Sequence, residues 1–199
     1  MPIPSLLLAA ALVNAGLPSV HVALAFGSEP TLPPAVAAAA VHEAADIWSR
    51  YRVVVDRTMP CASAPDEAIV LTVQTGRSRT TSALNTPRAL GAIVFAEDGT
   101  PYTILTVFFD LLLRSVGLAR LGDVGEDRWP PELRQRVVGR ALGRVIAHEI
   151  GHYLLGSRGH SSNGLMRAVQ PFHELFGQSG AGFLLSRADK RHLARSVVR

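Results

Sequence analysis

The stretch HEIGHYLLGSRGHSSNGLM, from His148 to Met166, decides how the rest of the chain is read. It is preceded by Pro130-Pro131 and a run of apolar residues at helical spacing. Proline suits a first helical turn, and the spacing predicts one long helix to about Leu155, with Gly156 as its stop. On that helix His148 and His152 are four residues apart. They differ by about 40° around the axis, so both rings leave the same side and one metal ion can take a nitrogen from each. Glu149 lies about 100° round from His148. It stands close to the metal but off the ligand row, where a general base for a metal-bound water belongs.

Projected on a helical wheel, Val137, Ala141, Leu142, Val145, Ile146 and Ile150 share a broad apolar arc. Arg136, Arg140 and Arg144 are expected on the opposite, solvated face. His148, Glu149 and His152 fall inside the apolar arc, where amphipathicity alone would not put them. Polar groups buried there need partners, and a zinc ion would supply one. Beyond the helix stop, His160 stands in a Gly/Ser-rich turn that can fold back to offer a third nitrogen. Three protein ligands leave the fourth position open for water, the coordination of a catalytic zinc site rather than a structural one. Glu174 is an alternative third ligand, 22 residues after His152, with His173 beside it in a possible helical turn from Pro171 to Phe176.

These residues resemble the metzincin zinc endopeptidases, including their matrixin-like members, whose pattern is H-E-x-x-H-x-x-G-x-x-H followed by a methionine-containing turn. His148, Glu149 and His152 match directly, and Gly156, His160 and Met166 match in kind and order. The turn carries two additional residues before His160. The resemblance implies an upper sheet-bearing part, an active-site helix, and a smaller lower part ending in a helix. It also implies that Met166 lies beneath the metal without binding it. With Glu174 as the ligand, the resemblance would be to the gluzincin-type peptidases instead, with the same base and reaction.

Outward from the motif, the chain reads as one α+β domain with a small mixed sheet. A helix is expected from Pro33-Pro34 to Tyr51, and strands over 52–56, 68–75 and 91–96. Residues 102–116 are ambiguous between strand and helix. Loops are expected over 76–87 and 117–128, and an amphipathic helix capped by Ser186 over 185–198. Gly91 to Ala96 is a candidate edge strand for pairing with an extended peptide. His42 and His192 are read as ordinary surface or interhelical residues.

The 199 residues are 48% hydrophobic and 18% charged, a globular composition. The net charge of +4 comes from scattered bases without interleaved aromatics, so no nucleic-acid interface is expected. The lone Cys61 rules out an internal disulfide framework and a four-cysteine zinc site. Residues 1–25 carry no Asp, Glu, Lys or Arg. Leu6 to Val13 has the length of a signal-peptide core, and Ala23-Leu24-Ala25 fits a cleavage site. The expectation is therefore a signal peptide over 1–25, a catalytic domain over 26–199, a secreted or periplasmic location, and no membrane span after cleavage. His21 would leave with the leader. The expected activity is zinc-dependent hydrolysis of peptide or protein substrates, with His148, His152 and His160 on the metal and Glu149 as base. The competing readings are a secreted, non-catalytic zinc-stabilised binding domain, which would want a fourth protein ligand, and a metal-free domain.

Overall fold

The computed structural model describes residues 20–27, 32–58, 68–77 and 89–196. The β-branched runs among them become strands: β1 Val20–Phe26, β2 Val53–Arg57, β3 Ile69–Thr75, β4 Gly91–Phe95 and β5 Pro101–Val107. They form one five-stranded sheet in the order β2-β1-β3-β5-β4. β1, β2, β3 and β5 run parallel, and β4 is the antiparallel edge beside β5. Side chains alternate across a strand. Val22, Leu24, Val53, Val55, Leu71, Val73, Leu105 and Val107 therefore share one face and are buried there. The α+β class with a mixed sheet is as the sequence implies.

Two helices build the core with that face. α1, Pro34–Ser49, opens on proline and propagates through alanines, and it buries Val36, Ala40, Ala44, Ile47 and Trp48 at helical spacing. α3, Pro131–Leu155, ends at Gly156, whose φ of 56° is the left-handed stop that glycine adopts without strain. A Cβ on Gly139 or Gly143 would run into α1 at Val36, Ala39 and Ala40, so small residues set how closely the two helices approach. The Trp48 indole N–H donates to the Ala147 carbonyl at 3.1 Å, fixing α1 against the turn that begins the histidine motif.

The ambiguous 102–116 region divides into β5 and α2, Phe109–Val116. The expected loop at 117–128 holds a small hairpin, β6 Arg120–Leu121 with β7 Val124–Gly125, and a 3-10 turn at Glu126–Arg128. α4, Phe172–Leu175, is the short turn read from the sequence. α5, Arg187–Ser196, is capped as expected: the Ser186 hydroxyl accepts the Asp189 N–H at 3.2 Å while the Asp189 carboxylate accepts the Ser186 N–H at 3.2 Å. None of the described helices is long and apolar enough to cross a membrane.

Two expectations need correction. The leader boundary after Ala25 falls inside β1, which lies between β2 and β3 and contributes the fully buried Val22 and Leu24. Cleavage there would remove an interior strand, so a leader compatible with this sheet ends before Val20. His21 belongs to β1, and its Nε2 lies 2.8 Å from the Asp56 carboxylate on β2. The second correction is Arg144, expected in solvent and found 1% exposed. Its Nε–H donates to Glu43 at 2.7 Å, and its terminal nitrogens donate to the carbonyls of Glu174, Leu175, Gly177 and Ser179. The guanidinium also lies 4.5 Å from the Phe183 ring centre. Leu6 to Val13, Cys61 and 78–88 lie outside the described residues.

Candidate metal centre

α3 is buried around most of its circumference, which is why polar residues on it require dedicated partners. His148 Nδ1 lies 2.7 Å from the Leu165 carbonyl, and His152 Nδ1 lies 2.7 Å from the Ser157 carbonyl. A carbonyl only accepts, so each Nδ1 carries the proton and each neutral ring keeps its lone pair on Nε2. Those two Nε2 atoms face one another at 3.0 Å. Two lone pairs at that distance repel unless a cation or a proton lies between them. Ligands at tetrahedral positions around a metal, ~2.1 Å from each nitrogen, would be ~3.4 Å apart, so the pair is already near a bound geometry.

The turn after Gly156 brings His160 back to this pair, as the sequence suggested. Its ring centre lies 5.3 Å from that of His148 and 4.9 Å from that of His152. One nitrogen from each of the three rings falls within 4.8 Å of the others, close enough to hold a metal ion. Burial pushes the His148 imidazole down to about 4, against the opposing pull of its bond to Leu165, with the neighbouring histidines adding to the fall. Burial also lowers His152. Both rings are thus kept neutral near pH 7, the state that ligates. Three imidazole nitrogens suit a borderline-soft divalent ion.

Glu149 is 4% exposed and sits between α3 and the sheet edge. Burial pushes its carboxyl up to about 8, opposed by the Ile93 backbone N–H that it accepts. A nearby divalent charge would favour its ionised form again. A Cβ on Gly91 would stand 2.6 Å from the Glu149 Oε1, so β4 reaches the carboxylate only because this residue is glycine. Gly91 was read as the start of a strand, and nothing in the sequence marked it as part of the site.

Glu149 and the histidines open onto a cleft of about 710 Å³ between β4 and the lower part of the chain. One wall is Leu90 with Gly91 and Ile93 of β4, and another is Val169, Pro171 and Phe172. β4 is thus both the edge strand expected from the sequence and a wall of the cleft. Met166 is 1% exposed, and its sulfur packs against Gly151, leaving no room there for a Cβ. Glu174 does not join the cluster. Its carboxylate instead accepts Arg167 at 2.6 Å. His173, His42 and His192 are exposed. No family model matches the chain, and no curated protein matches it in sequence.

Proposed function

We propose that this chain is a zinc-dependent endopeptidase of the metzincin type, with His148, His152 and His160 as the metal ligands and Glu149 as general base. The observation that carries the reading is the pair of Nε2 lone pairs held 3.0 Å apart by carbonyl-bound Nδ1 atoms, with His160 closing the triangle and Glu149 buried alongside. Support also comes from features that the family resemblance implies: a sheet, a long helix carrying the histidine pair, a buried methionine packed against that helix at Gly151, and a C-terminal helix, α5.

When bound, zinc would acidify a water molecule and polarise the scissile carbonyl. The chain's own residues do the rest. β4 is an edge strand along which an extended peptide can align, with its Ile93 N–H already given to Glu149. Glu149 takes a proton from the water and delivers it to the departing amine. Its depth between α3 and β4 keeps bulk solvent from competing for that proton. The zinc-stabilised binding domain is less well supported. It wants a fourth protein ligand, and no further His, Cys, Asp or Glu completes the cluster among the described residues. It also leaves the buried Glu149 without a role. Export belongs to the same reading, with the leader confined to residues 1–19.

Metal analysis of the purified protein, paired with a Glu149→Ala variant, tests the proposal. Stoichiometric zinc with peptide hydrolysis that disappears in the variant is the expected result. Zinc without hydrolysis in either protein selects the binding domain, and absence of metal removes both.

A further inference from the structure

His148 and His152 are each oriented by a backbone carbonyl, but His160 makes no hydrogen bond through its ring to any described residue, and it is exposed. Its position must come from the chain on either side. Two residues earlier, the Arg158 guanidinium donates to the Ala96 carbonyl at 3.0 Å and lies 5.1 Å from the Phe95 ring centre, holding the turn to the end of β4. One residue later, Ser161 is held twice. Its N–H donates to the Met166 carbonyl at 2.8 Å, and its hydroxyl lies 2.8 Å from both carboxylate oxygens of Asp189. Asp189 stands in the first turn of α5, fixed in place by Ser186, whose hydroxyl donates to it at 2.6 Å.

We propose that Asp189, acting through the Ser161 hydroxyl, is the positioning residue for His160. The inference rests on the metal-centre reading above. His160 lies two residues further from His152 than in the family pattern, so helix geometry alone does not place a third ligand. An anchor on α5 supplies that constraint from outside the turn. It gives the C-terminal helix a task in the metal site as well as in the fold. A misplaced third ligand weakens metal binding without disturbing the other two, which keep their own carbonyl partners.

Zinc affinity, measured by chelator competition on the full chain, tests the assignment. Ser161→Ala removes the donor but leaves Asp189 capped by Ser186. It should weaken zinc binding by about 10- to 100-fold, the usual loss for a group that orients a ligand. Ser161→Thr keeps a hydroxyl and should bind zinc nearly as the parent does. In a His160→Ala background, Ser161→Ala should cause no further loss, because the residue it positions is gone. Asp189→Ala should match Ser161→Ala, with the double variant no weaker. If α5 frays in Asp189→Ala, Ser161→Ala still carries the test. Binding within twofold of the parent in Ser161→Ala overturns the inference, as does an equal loss with or without His160. A parent chain that takes up no zinc fails the metal reading and this inference together, whereas zinc uptake unaffected by Ser161→Ala fails this one alone.

Discussion

Gly91 on β4 and Glu149 on α3 are in contact so close that a single methyl group on the glycine would overlap the carboxylate, 2.6 Å from its Oε1 and 2.9 Å from its Cγ. The same methyl would stand 2.8 Å from Val145. Gly91→Ala must therefore push β4 outward or turn Glu149 away. Overpacking of this kind costs about 1–3 kcal/mol of stability. The larger effect should fall on catalysis, since a displacement of about 1 Å can lower turnover by about 10²-fold. Zinc affinity should stay near the parent value because no ligand is touched. Unchanged kcat in Gly91→Ala would show that β4 gives way and Glu149 keeps its place.

Glu149→Gln preserves shape and hydrogen-bonding capacity but cannot take a proton. Fold and zinc content should match the parent, while kcat falls by something on the order of 10²- to 10⁴-fold. Peptide hydrolysis at the parent rate would assign Glu149 a different role.

Arg144→Ala strands the half-buried Glu43 without its cation and takes a donor from each of four carbonyls. Removing one partner of a buried ion pair costs about 3–5 kcal/mol. Urea unfolding should show a loss of that size. Arg144→Lys should recover only part of it, because one ammonium cannot reproduce the planar fork. A shift below about 1 kcal/mol would mean the cage is decorative.

The position of β1 makes truncation informative. A chain starting at Val20 keeps all five strands and should fold, giving mixed helix and strand in far-UV circular dichroism and a cooperative melt. A chain starting at Phe26 lacks the strand on which both β2 and β3 pair and should not fold. A cooperative melt from the shorter chain would show that β1 is dispensable.

Chelation should abolish hydrolysis while leaving the far-UV spectrum unchanged, because the sheet and helices are held by an apolar core that does not include the metal ligands. Zinc added back should restore the rate. The melting temperature should fall on chelation, since a ligand that binds only the folded state stabilises it by mass action. Complete unfolding on chelation would instead place the chain among domains that need zinc to fold.

The histidine cluster was legible because its signal is local. An i, i+4 pair on a long helix fixes the direction of two rings before anything else about the fold is known, and Gly156 marks where the chain must turn. Two features were hidden for opposite reasons. β1 reads as apolar residues continuous with an apolar N-terminus, and a buried parallel strand has no alternation to separate it from a leader core. Arg144 follows the spacing of Arg136 and Arg140, and a helical wheel treats all three as solvated. It is enclosed by the backbone at 174–179, about 30 residues further along, together with Glu43 on α1 and the Phe183 ring. Gly91 could not be recognised because its meaning lies in the approach of a helix about 60 residues further along.

The Arg144 cage has a consequence for how the cleft can respond to what enters it. The guanidinium sits one helical turn before His148 and grips the backbone that follows Phe172, so the cleft wall at Val169, Pro171 and Phe172 is tied to the helix that carries His148 and His152. That wall cannot yield to a bulkier group without dragging on the histidines. Ligands should therefore be sorted by fit to a fixed mould, and a compound that forces the wall outward should weaken whatever metal the histidines hold, beyond showing its own binding.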